Sequence, residues 1–299
     1  MQLRPSVLAA VLVETALAST ACELDTTEPI AQEPMTLVGA DRQGRLYVVE
    51  EASGSLTLID TVFVQHPFDP AFTVPVGAVA SMTWVASIDT WWVATSRSGS
   101  ICSNCIYAYH PVLPFARNFR RNIGDVDTIA DFAEDPESGR LYTFPVESGG
   151  SFYRVDPRNA EYRVFYLPLD EGASGKGTIF GSDGLLYVAG GLQEHHLVRI
   201  DLNGATAGIA PLTYVGFPPF TSYSVTVQAM ATRAADGLVV ALVQDGGGWS
   251  GSISATYLAT VDLGTAVVTN LGATSERLNA LAYVPTRLLP GAAEALSAP

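Results

Sequence analysis

Charge is scarce in this chain, and positive charge scarcest. Only 15% of its 299 residues are charged, with 16 Lys and Arg against 30 Asp and Glu. The net charge of −14 repels phosphate backbones and argues against nucleic acid as a partner. It would suit a cationic ligand or a bound Ca²⁺, although solubility alone accounts for such a surface. Cysteine is nearly missing, with three residues in all. With no second Cys pair, a structural zinc site lacks two of its ligands. No window sustains a helical period, so the helix start that would activate a redox thiol is absent. No Gly-Lys-Ser/Thr follows a glycine run, and no Gly-x-Ser-x-Gly elbow occurs, which removes phosphate-loop and serine-hydrolase signatures. No apolar run reaches the length of a membrane span.

What the chain does have is a repeat. A turn ending in Gly leads into a short strand, a loop, and a second strand closing on Asp. It reads Gly44-Arg-Leu-Tyr with Leu56-Thr-Leu-Ile-Asp60, then Gly139-Arg-Leu-Tyr with Phe152-Tyr-Arg-Val-Asp156. Gly184-Leu-Leu-Tyr with Leu197-Val-Arg-Ile-Asp201 and Gly237-Leu-Val-Val with Leu258-Ala-Thr-Val-Asp262 follow. Tyr47, Trp92, Tyr142, Tyr187 and Val240 are separated by 45, 50, 45 and 53 residues, the length of one four-stranded propeller blade. The fold class is therefore all-β, a β-propeller of five blades with four antiparallel strands each; six blades is the alternative. Blade one takes strands near Thr36–Ala40, Arg45–Val49, Leu56–Ile59 and Phe72–Val76, and blade four ends on Leu212–Val215. One strand is left over, Leu278-Asn-Ala-Leu-Ala-Tyr-Val284, and its role is ring closure, because an open edge between first and last blades is a liability. Whether it displaces Thr36–Ala40 or joins it in a composite blade stays open.

The Gly-x-Leu-Tyr-Val turn-and-strand with its Val/Ile-Asp ending resembles the NHL and YVTN type of propeller repeat of exported bacterial proteins. The resemblance implies a fold and a habit of binding at the ring, and no particular reaction. The first 21 residues resemble a bacterial lipoprotein signal. Arg4 supplies the charge, Val7 to Ala18 is mostly apolar, and small residues precede Cys22, which would carry the lipid. A soluble secretory peptide cut near Ala21 is the alternative. The resulting domain plan is signal peptide 1–21, acidic proline-bearing tether 22–34, propeller 35–285 and disordered tail 286–299. It places the protein in a bacterial cell envelope or outside the cell, at a membrane only through the anchor, and as a monomer.

With Cys22 assigned to the anchor, Cys102 and Cys105 form an even pair in an oxidising compartment and read as a local disulfide. The strand-ending Asp recurs too regularly to be catalytic and reads as an acceptor of turn N–H groups. Trp91 and Trp92 alternate across a strand, so at least one packs between blades. Function concentrates on loops, and those joining second to third strands should share one face, namely Glu50–Ser55, Ser96–Cys105, Glu147–Ser151, Gly190–His196 and Gln244–Ser254. Among them Asp245 and Trp249 lie in a glycine-rich loop suited to gripping a sugar or a cation. Glu194 beside His195 offers an acid–base pair, but neighbouring strand residues diverge, so His195 and His196 do not share a metal. No catalytic residue is named, no metal ligand is assigned, and no cofactor is required, Ca²⁺ being the one possible ion. The expected partner is a protein or carbohydrate bound at the loop face. A hydrolase or lactonase reading would need several acids converging in the channel, with Glu50, Glu51, Glu147, Asp170, Glu171 and Asp245 as the candidates.

Overall fold

The computed structural model describes residues 33–65, 73–100, 102, 105–109, 129–145, 151–166, 175–190, 196–202, 205–221, 225–246 and 253–289. These residues form a five-bladed β-propeller. From the channel outward, blade 1 is built from Leu278–Pro285, Met35–Asp41, Arg45–Val49 and Leu56–Thr61. Blade 2 has Gly77–Val85, Thr90–Ser100 and Ile106–Tyr109; its expected fourth strand and His110 fall outside the described residues. Blade 3 has Ile129–Glu134, Leu141–Pro145, Ser151–Val155 and Tyr162–Tyr166. Blade 4 has Gly175–Phe180, Leu186–Gly190, His196–Asp201 and Ala205–Pro211. Blade 5 has Val225–Thr232, Val239–Asp245, Ala255–Asp262 and Val267–Ala273. Each inner strand packs beside the next around the ring, and that of blade 5 returns to Leu278–Pro285.

Three strand assignments need correction. The C-terminal strand takes the inner position of blade 1 and pairs with the whole of Met35–Asp41, from Met35 opposite Pro285 to Asp41 opposite Leu278. Every N-terminal strand of that blade therefore sits one place further out than its repeat motif suggests, and Tyr47 lies on a third strand rather than a second. The stretch near Phe72–Val76 becomes a separate two-stranded piece, Phe63–Gln65 with Thr73–Pro75, instead of a fourth blade strand. Its flanking Val62, Val64 and Val76 are buried against blades 1 and 2. Blade 4 is completed by Ala205–Pro211, and Thr213–Val215 crosses over to pair parallel with Val267–Ala273 on the outer edge of blade 5. That extra strand covers an otherwise unpaired edge.

The core is divided into five apolar clusters, one at each blade interface. A blade buried on both faces needs apolar residues on both, which is why Leu238 to Val243 runs unbroken rather than alternating. Trp91 packs into the cluster between blades 1 and 2, and Trp92 into that between blades 2 and 3. Both are fully buried, so the alternation of one dipeptide serves two interfaces. The turn glycines Gly44, Gly139, Gly184 and Gly237 all adopt left-handed backbone, with φ between 64° and 76°. The expected Asp acceptors are present: Asp156 Oδ1 accepts the Arg158 N–H at 2.9 Å, and Asp262 Oδ1 accepts that of Gly264 at 2.8 Å. A second set, at the turns bearing those glycines, escaped notice in the sequence. Asp41, Asp135, Asp183 and Asp236 each accept a turn N–H in the same way.

Candidate functional site

The inner strands line a channel that opens on one face into a cavity of about 940 Å³. Its walls come from the second half of each inner strand and from the turns that follow: Trp84 from blade 2, Phe132 from blade 3, Phe180 from blade 4, Thr232 from blade 5 and Tyr283 from blade 1. Met82, Met230 and Leu281 lie deeper. The charges at the rim are held by one another or by backbone N–H groups. Arg233 bridges Asp236 and Glu51, both at 2.6 Å, and its hydrogen bond holds the Asp236 carboxyl down to about 2. Glu134 accepts the backbone N–H groups of Ala86 and Ser87 from the neighbouring blade. The funnel is thus a largely apolar cup in which the indole of Trp84 is partly exposed while Phe132, Phe180 and Tyr283 pack back between the blades, with hydroxyls in its wall and held charges around its edge.

Its floor is made by a feature common to all five blades. Each inner strand carries one more residue than the strand it pairs with: Lys176 in blade 4, Gln228 in blade 5, Asn279 in blade 1, Ala80 in blade 2, and one of Ala130 and Asp131 in blade 3. A bulge re-aims the side chains beside it, and five at one height turn the channel lining polar there. The centre is Asp131. Its Oδ1 accepts the Ser81 hydroxyl and its own neighbour's N–H, from Phe132, both at 3.0 Å. Oδ2 accepts the Thr178 N–H at 3.1 Å and the Met230 N–H at 3.0 Å. One carboxyl therefore stitches blades 2, 3, 4 and 5. It is fully buried, and loss of hydration outweighs the four hydrogen bonds, so its pKa is pushed up to about 8.

The anticipated site residues fare unequally. Glu194, His195 and Trp249 lie outside the described residues, as do Cys22, Glu147, Asp170 and Glu171. Asp245 is buried at the end of the second strand of blade 5, where Oδ2 accepts both the N–H and the hydroxyl of Thr221 at 2.8 Å. Glu50 and Glu51 do not turn toward a shared channel site. With the C-terminal strand innermost, their turn moves to the funnel face, where Glu50 accepts the Ser53 hydroxyl and Glu51 pairs with Arg233. Among the described residues no group of three His, Cys, Asp or Glu could hold a metal ion. Cys102 and Cys105 are joined as a disulfide. The Thr95 hydroxyl donates to the carbonyl oxygens of both cysteines, fastening the bridge to blade 2. Asp131 was missed, yet it had a signal: an acid inside the apolar strand Ile-Ala-Asp-Phe-Ala, where burial demands partners.

No protein-family model matches this chain, and no curated protein matches it. Solved structures do. A chain in the crystal structure of a nidogen/laminin complex superimposes with a TM-score of 0.50 at 9% identity, over 84% of this chain and 98% of that one. A protein of unknown function from Bacteroides caccae gives 0.45 at 9% identity, over 84% and 99% of the two chains. An auxiliary nutrient binding protein from Bacteroides ovatus gives 0.43 at 11% identity, over 80% and 61%. At such identities the likeness is one of fold. Among the described residues no helix is long and apolar enough to cross a membrane.

Proposed function

We propose that this chain is an exported binding module, anchored at a bacterial envelope by a lipid on Cys22, whose propeller takes a saccharide in the funnel. The supporting observation is the cup itself: about 940 Å³, walled by Trp84, Phe132, Phe180 and Tyr283 and interrupted by Thr83, Thr232 and Ser182. The partly exposed indole of Trp84 for a sugar ring, hydroxyls for hydroxyls, and rim charges held by one another or by backbone N–H groups favour a neutral, amphipathic ligand over an ion. The catalytic alternative requires convergent acids. Among the described residues the channel interior presents Asp131 alone, with both oxygens engaged.

Trp91 and Trp92 are sealed from solvent and Trp249 lies outside the described residues, so with Trp249 replaced by Phe a ligand in the funnel acts on fluorescence through Trp84. Titration with a panel of oligosaccharides is expected to shift the emission, and Trp84→Ala is expected to remove the response while the protein stays folded. A protein partner that binds wild type and not Trp84→Ala, with every sugar silent, would replace the saccharide reading. A Ca²⁺-dependent rise in melting temperature, reversed by chelator, would reopen the enzyme reading.

A further inference from the structure

The funnel cavity is not shared evenly among the blades. Blades 2, 3 and 4 give it only the inner strand and the turn that follows, and blade 1 gives its inner strand and Met35. From blade 5 the lining continues outward through all four strands of the repeat, with Thr232, Val239, Thr260 and Thr269 one from each. The funnel therefore has an arm that runs radially over blade 5. The whole cavity, about 940 Å³, lies near the upper end of the roughly 300–1,000 Å³ usual for ligand pockets, more than one sugar ring would fill.

Strand register shows how the arm is built. Ala231 stands opposite Val240, Val240 opposite Thr260, and Thr260 opposite Thr269. Directly opposed residues share a face, and this one looks toward blade 1, where Val240 packs with Leu37 and Tyr47. The extra strand Thr213–Val215 prolongs the row by placing Val215 opposite Thr269. Exposure grows along it: Val240 is sealed, Thr260 is half-buried, Thr269 is exposed, and Val215 is 46% exposed. Val240 itself is left out of the lining, and Gly237 and Leu238 carry the cavity past it. The open part, from Thr260 to Val215, covers two strand spacings, about 10 Å. A second row flanks it, with Asp262 opposite Val267 and Val267 opposite Thr213.

We propose that this arm binds the chain of a linear oligosaccharide whose terminal sugar occupies the funnel, an inference that rests on the saccharide reading above. The surface is a sheet face, and its backbone groups are spent on ladders. Val267–Ala273 pairs with Ala255–Asp262 on one side and with Thr213–Val215 on the other. An extended peptide laid there gains none of the main-chain hydrogen bonds that a free sheet edge offers. A sugar chain needs none. Its hydroxyls meet those of Thr260 and Thr269 and the exposed carboxylate of Asp262, while its C–H faces rest on Val267 and Val215. The extra strand thereby widens the platform as well as covering the edge of blade 5.

Calorimetric titration with malto-, cello- and chito-oligosaccharides of two to six units tests the arm. In the series that binds, affinity should rise about tenfold from dimer to tetramer and then level off. Thr260→Ala combined with Thr269→Ala should lower tetramer affinity about tenfold, to the dimer's value. Val215→Asp, at an exposed position that tolerates substitution, should weaken the longer chains in the same direction. Affinity independent of length, or a tetramer bound equally by wild type and both variants, would overturn the arm and leave the saccharide reading standing. Silence of every series at every length would remove that reading and the arm together. A length-dependent gain seen with extended peptides and not with sugars would give the row to a polypeptide and defeat the proposal.

Discussion

Asp131 is the residue on which the ring converges, and its titration should be visible in the stability of the whole protein. An unfolded aspartate loses its proton near 3.8, whereas burial keeps the folded one protonated to about 8. Between those values the folded state binds one proton more than the unfolded state. Stability contributed by Asp131 is then complete below the lower value and lost as pH rises through the upper one, by about 1.4 kcal/mol per pH unit between the two. Asp131→Asn cannot titrate, and its amide nitrogen must face N–H groups on one side, so the variant should be less stable at every pH but with a flatter profile. Urea unfolding of both proteins from pH 5 to 8.5 checks this. If the gap between wild type and variant stays constant over that range, the carboxyl is ionised throughout and the argument fails. Nothing in the repeat pattern pointed to Asp131, because the pattern records what blades share, and this side chain is peculiar to one of them.

Strands were legible where they repeat and illegible where they leave the repeat. The Gly-x-Leu-Tyr hairpins appear where the motif places them, since turn glycines at positive φ and Asp acceptors are local chemistry. The order of strands in blade 1 was not local. Leu278–Pro285 displaces the N-terminal strand outward because its eight residues, all buried, fill the ring where no N-terminal strand could complete it. The crossing of Thr213–Val215 to blade 5 has the same origin, an edge in need of cover, which no window of sequence contains. The closure strand gives a direct test. Ending the chain at Arg277 removes the partner of Met35–Asp41 along its whole length and opens the clusters on both sides of blade 1. The loss should exceed the 5–15 kcal/mol that stabilise ordinary domains, leaving no cooperative far-ultraviolet transition. A truncated chain that still melts sharply would show that four blades and an open fifth are enough.

At the scale of the molecule, closure turns a repeat array into a single cooperative body. An open array unfolds piecemeal, because a terminal repeat has one interface and can leave alone. Here every blade has two, each holding its own apolar cluster, and the first and last segments of the chain meet within blade 1. Asp131 adds a tie among four blades that does not depend on chain order. Losing any blade exposes two clusters, and losing blade 2, 4 or 5 also takes a donor from the buried carboxyl, so partial unfolding costs nearly as much as complete unfolding. Calorimetry should therefore show one transition, with the calorimetric and van't Hoff enthalpies equal and on the order of 180 kcal/mol, about 0.7 kcal/mol for each residue of the ring. Two resolved transitions, or a van't Hoff value near half the calorimetric one, would mean that the blades melt in groups. The funnel draws its wall from all five blades, so in a cooperative ring a saccharide bound there raises the single transition as a whole.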